Sequence, residues 1–110
     1  MNKVFLTGNV VADAKRGTTK TNKVFSRFSI AVSNMKDPAL TNFFDCYVYG
    51  EYAEKIEKFI LKGRKICVIG SLNQSKYKDK NNQDREYVCI NVETIELLSK
   101  VEAWISWLNL

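Results

Sequence analysis

Apolar and polar residues alternate through most of this 110-residue chain, with the period of half-buried strands. In residues 3–11, Val4, Leu6, Gly8 and Val10 share one face, and Lys3, Phe5, Thr7 and Asn9 the other. Residues 24–32 set Val24, Ser26, Phe28, Ile30 and Val32 against Phe25, Arg27, Ser29 and Ala31. Residues 43–50 set Phe44, Cys46 and Val48, which read as core, against Phe43, Asp45, Tyr47 and Tyr49. Pattern alone leaves that second face as either a platform for bases or another packing surface. Residues 66–72 form a buried strand, and residues 85–97 a last long one in which Val88, Ile90, Val92 and Thr94 alternate with Tyr87, Cys89, Asn91 and Glu93.

The period changes once. In residues 51–62, Tyr52, Ala53, Ile56, Phe59 and Ile60 make one apolar stripe with charges opposite, predicting an amphipathic helix that Gly63 stops. Polar segments at 12–23, 33–41 and 73–84 connect the strands, the first read as a long hairpin loop carrying Lys15, Arg16, Lys20 and Lys23. Three strands, one helix and two strands suit an all-β fold: the OB-fold, a five-stranded Greek-key barrel with one helix between strands 3 and 4. The barrel is expected over residues 1–99, followed by a short apolar tail, 100–110.

Charge adds a direction. The formal net charge is +5. Acidic and basic residues cancel within the helix segment, and Glu93, Glu96 and Glu102 outnumber Lys100 beyond it. Positive charge therefore concentrates in the strands and loops, as a footprint for a polyanion requires. Aromatics Phe43, Tyr47, Tyr49, Tyr77 and Tyr87 interleave there with Lys3, Arg27, Lys36, Lys76, Lys78 and Arg85. Single-strand binding needs that mixture: bases of any sequence stack on rings while cations track the phosphates. Lys76-Tyr77-Lys78 carries more weight than a lone charge run, because a tyrosine between two lysines on a projecting hairpin has little local core to fill.

Catalysis finds no residues. The chain has no histidine, no metal-ligand cysteine spacing and no Gly-rich phosphate loop, so no enzyme activity and no cofactor are expected. Cys46, Cys67 and Cys89 are odd in number and lie in strand-like runs, which favours buried, reduced thiols. Without a visible signal peptide or apolar span, no membrane association and a cytoplasmic location are expected.

With the segments placed, the chain resembles the bacterial-type single-stranded DNA-binding protein family. The likeness rests on NKVFLTGNV at 2–10, FSIAVSN at 28–34, the aromatic strand ending at Gly50, YAEKIEKFILKGRKICVIGSL at 52–72 and SKYKDKNNQDREYVCINV at 75–92, and covers about residues 2–99. It implies an OB-fold that binds single-stranded DNA in replication, recombination or repair, as a homotetramer or a dimer. It assigns base stacking to Phe43 and Tyr49, an arm position to Tyr77 flanked by Lys76 and Lys78, and a basic position to Lys3. Other uses of an OB module are an accessory, primosome-like subunit or an RNA binder.

Three departures stand out against the resemblance. Asn34-Met35-Lys36-Asp37 replaces a Trp common after the second strand. Asp45 stands where relatives often carry Arg or Asn, and there a carboxylate would repel phosphate unless a neighbouring Lys paired with it. Typical members continue into a flexible linker and an acidic tip that recruits repair and replication enzymes. Residues 101–110, with Trp104, Ile105, Trp107 and Leu108, are apolar instead, so that tip is expected to be absent. The tail is expected to pack on the barrel or at a subunit interface.

Overall fold

The computed structural model describes residues 1–98. The tail expected at 100–110 lies outside them. The alternating segments fold as strands β1 (Val4–Val10), β3 (Val24–Ser33), β4 (Thr41–Tyr49), β5 (Lys65–Lys78) and β6 (Asp84–Leu97). Hydrogen bonding follows the order β1-β5-β6-β4-β3, and Asn9↔Ala31 and Val10↔Ile30 join β1 to β3. The sheet thereby closes on itself. Antiparallel pairing prevails, except that β4 and β6 run parallel at Cys46↔Ile90 and Tyr47↔Asn91. This is the five-stranded OB-fold barrel that the alternation predicts.

Inside the barrel, Ile30, Val48, Ile60, Ile66, Val68 and Ile90 are completely shielded from water. Burying each such side chain contributes about 1.5–3 kcal/mol before entropy is charged against it. Cys46 and Cys89 are buried and Cys67 partly so, all three as free thiols. Burial pushes the Cys46 thiol up to about 12, which keeps it neutral and unreactive.

The structure corrects three sequence expectations. The loop expected at 12–23 contains a sixth strand, β2 (Lys15–Thr18), paired antiparallel to β3 from Lys15↔Arg27 to Thr18↔Val24. Its residues carry no apolar alternation. What fixes it is tertiary: the Phe25 ring lies over Gly17 so closely that a Cβ there would stand 2.4 Å from Phe25 Cζ. Arg16 also reaches Glu57 through Nε (3.1 Å) and Nη2 (2.6 Å), while fully buried Ser26 donates to the same carboxylate at 2.8 Å.

The helix is shorter than its stripe suggested. α1 (Gly50–Ile56) tightens into a 3-10 turn at Glu57–Phe59. The larger angular step per residue, about 120° rather than about 100°, leaves Ile60 buried but turns Phe59 out to solvent. Finally, β6 changes face. Ile69 pairs with Thr94 but Gly70 with Val92, so Glu93 is an extra residue, a β-bulge. Ile90 and Val92 face inward before it and Ile95 and Leu97 after it, leaving Thr94 exposed instead of sharing the inner face. Gly70 is the residue that tolerates the bulge, since a Cβ there would lie 2.1 Å from the Asn91 carbonyl oxygen.

Candidate nucleic-acid interface

The outer faces of β3 and β4 form one surface because their register aligns chemically matched residues. Phe25 pairs with Tyr49, Arg27 with Tyr47, Ser29 with Asp45 and Ala31 with Phe43. Phe25, Tyr47 and Tyr49 make a continuous cluster, with ring centroids 5.7, 6.1 and 6.3 Å apart, and the two tyrosine planes are only 15° from parallel. Cations border it: Lys23 Nζ lies 5.2 Å from the Tyr49 ring centre, and the Arg27 guanidinium 5.9 Å from that of Tyr47. Such contacts hold the positive charge beside a surface on which a base can lie. Lys15, opposite Arg27, lines with it a hollow of about 180 Å³ that also includes Asp13 and Ser29.

Asp45 sits within this row and is not left to repel its surroundings alone. Ser29 Oγ donates to one carboxylate oxygen, and Tyr87 Oη donates to the other at 2.7 Å. Arg27 Nη2 stands 3.5 Å from that second oxygen, a loose charge pair rather than a tight one. Tyr47 and Tyr87 hydroxyls are 3.3 Å apart. With the Tyr87 proton committed to Asp45, Tyr47 is left as donor in that contact. Partial burial alone would raise the Asp45 carboxyl. The bonds from Ser29 and Tyr87, with positive Arg27, outweigh it and hold the group below its ordinary value. Burial, with Tyr47 and Asp45 as neighbours, pushes the Tyr87 phenol up, so it stays a protonated donor. The partner of Asp45 is thus Arg27 and two hydroxyls, not the neighbouring lysine that the sequence suggested.

The remaining sequence-predicted residues fall in four other places. Phe43 continues the β4 row beyond Asp45, 66% exposed and outside the aromatic cluster. Tyr77 is 53% exposed on the β5–β6 hairpin, opposite Arg85, with Lys76 opposite Glu86 and Lys78 opposite Asp84. Cross-strand acids therefore offset much of this arm's positive charge. Arg85 itself is paired, its Nε 2.9 Å from Asp79 Oδ2. Lys3 makes an ion pair with Glu93, the bulge residue of β6. Lys36 is exposed on the 34–40 loop, where its backbone N–H is tied to Asn34 Oδ1 at 2.9 Å.

One member of the cluster, Phe25, was not singled out from sequence, and Lys23 was named only among the basic residues of the 12–23 loop. Phe25 and Lys23 gain their place through pairing with β4 and the turn that precedes β3. The available signal was the Phe25–Arg27 spacing, which puts a ring and a cation on one strand face.

The model of the single-strand binding protein family matches residues 1–98. The chain belongs to that family. It is 35% identical over 96 residues to a single-stranded DNA-binding protein of Fusobacterium nucleatum, covering 82% of this chain and 62% of that protein. A single-stranded DNA-binding protein of Treponema pallidum is 30% identical over 106 residues, covering 92% of this chain and 60% of its own. One of Onion yellows phytoplasma is 31% identical over 103 residues, covering 89% and 94%. The chain thus spans about three fifths of the first two curated relatives. Membership of the single-strand binding protein family agrees with the barrel and with the aromatic, cation-edged face of β3 and β4.

Proposed function

We propose that this protein binds single-stranded DNA without catalysing a reaction, laying bases on the β3–β4 face and phosphates along its cationic border. The observation that carries the reading is the Phe25–Tyr47–Tyr49 cluster with Lys23 and Arg27 against its rings. Each stacked base is worth roughly 1–3 kcal/mol whatever its identity, which suits a strand-coating protein. Phe43, Tyr77, Lys76 and Lys78 extend the path as secondary contacts; Lys3, Lys36 and Arg85 sit at its margins. The relatives' names support the same substrate. In that role the protein serves DNA replication, recombination or repair in the cytoplasm. No described helix is long and apolar enough to cross a membrane.

The functional unit in this reading is a homo-oligomer, a tetramer or a dimer. Phe5 on the outside of β1, and Leu72 and Val88 where the β5–β6 hairpin leaves the barrel, are exposed apolar side chains suited to contact between copies. Along Val4–Thr7, the β1 edge opposite β5 pairs with no strand among the described residues.

The test is fluorescence anisotropy of a labelled mixed-sequence single strand, titrated at several salt concentrations beside a duplex of equal length. Tight single-strand binding that weakens with salt is expected. Equal affinity for duplex, or affinity that ignores salt, would refute the reading.

A further inference from the structure

The carboxylate of Asp45 is an odd occupant of a face meant for phosphates and bases, and its surroundings explain what it does there. It lies two residues from Phe43 and two from Tyr47 on the same side of β4, one strand repeat of about 6.6–6.8 Å from each ring-bearing residue. Ser29 and Tyr87 fix its orientation, and Arg27 offsets its charge. Its side chain nevertheless keeps 27% of its accessible surface. An ionised carboxylate offers about four acceptor positions, and Ser29 and Tyr87 take two of them. Arg27, at 3.5 Å, competes only loosely for a third. At least one acceptor position is therefore left over on a carboxylate that Ser29 and Tyr87 hold in place within the outward row of β4.

We infer that Asp45 gives this otherwise sequence-tolerant surface a base preference, favouring bases whose edge carries an amino donor over thymine. The inference rests on the single-strand reading above. Cytosine presents its 4-amino group, adenine its 6-amino group, and guanine its ring N–H beside its 2-amino group, each a donor suited to a carboxylate. Thymine presents one ring N–H flanked by two carbonyl oxygens, and those oxygens oppose the carboxylate. Phosphates avoid the same point and pass along the Lys23, Arg27 and Lys15 border. Asp45 thus separates the two parts of the ligand, edges toward the acid and backbone toward the bases of the protein.

The experiment compares oligo-dC with oligo-dT of equal length, in the wild type and in Asp45→Asn, by anisotropy at one ionic strength. A single well-placed donor–acceptor contact sets the expected scale at about fivefold or more in favour of dC. In Asp45→Asn the amide offers both a donor and an acceptor, so the two strands should bind within about twofold of each other. A third strand, of 2-pyrimidinone deoxynucleotides that lack only cytosine's amino group, should bind the wild type no better than oligo-dT. That arm reads the contact in the native protein even where Asp45→Asn fails to fold. Equal wild-type affinity for dC and dT, a preference that survives Asp45→Asn, or full affinity for the pyrimidinone strand would each overturn the inference while leaving single-strand binding intact. Failure to bind any of the three strands would overturn both.

Discussion

Tyr49→Ala separates stacking from charge more cleanly than any other change on this face. Tyr49 is 37% exposed, so its ring is available to a base, yet its inner side packs on Phe25 and Tyr47. Removing it deletes one platform, which should cost about 1–3 kcal/mol in affinity, or roughly five- to 150-fold in Kd. It also deletes two aromatic contacts, each worth about 0.5–1.5 kcal/mol of stability. A moderate fall in Tm is therefore expected alongside the binding loss. Because no charge changes, the slope of log K against log salt should match that of the wild type. Tyr49→Phe keeps the ring and should bind within about twofold.

The assay is anisotropy at three or more salt concentrations, at a temperature where near-ultraviolet circular dichroism confirms that both variants are folded. Weaker binding with an unchanged slope identifies Tyr49 as a stacking platform. A folded Tyr49→Ala protein that binds within twofold of the wild type would refute the reasoning, and with it the assignment of the β3–β4 face. A change in slope would refute the separation of roles, showing that the ring mainly positions Lys23.

Three further outcomes follow from the same geometry. Lys23→Gln should reduce the magnitude of the salt slope by about 0.7, the increment for one phosphate contact on a single strand, measured by the same titration. Gly17→Val should displace the Phe25 ring, since even a Cβ meets it at 2.4 Å, and so weaken strand binding while far-ultraviolet circular dichroism shows the barrel retained. Asp45 predicts the acid side of stability: its folded carboxyl lies below the ordinary value of 3.8, so its contribution is complete above that value and is lost as pH falls through the folded pKa. Thermal melts from pH 6 downward should therefore converge for wild type and Asp45→Asn at the acid end, and parallel curves throughout would contradict that linkage.

Alternation made β1, β3 and β4 legible, together with the inner faces that bear Phe28, Ile30, Cys46 and Val48, because each of these strands keeps one phase along its length. The phase of β6 was not legible past Val92. A single extra residue, Glu93, reverses the strand's faces, and only the pairing with β5 reveals it. β2 was illegible for a different reason. Lys-Arg-Gly-Thr has no strand pattern of its own and is held by Phe25 over Gly17 and by Glu57, 41 residues from its partner Arg16. Likewise the stripe ending in Phe59 and Ile60 fitted a straight helix until the 3-10 turn separated the two side chains.

The candidate site divides along the same line. Its aromatics on β4 could be named from one strand, since alternation alone puts Phe43, Tyr47 and Tyr49 on the outside. Its electrostatics could not, because they are set by cross-strand neighbours. Lys76, Lys78 and Arg85 read as a basic arm in one dimension, but Glu86, Asp84 and Asp79 lie against them once β5 and β6 pair. Asp45 read as a liability and becomes a held acceptor through Ser29 on one neighbouring strand and Tyr87 on the other. Register therefore redistributes the weight of the site. It shifts the strongest cation–ring combination from the hairpin arm to Lys23, Phe25 and Arg27, where no acid sits directly opposite in the strand register and the neighbouring Asp45 is already engaged by Ser29 and Tyr87.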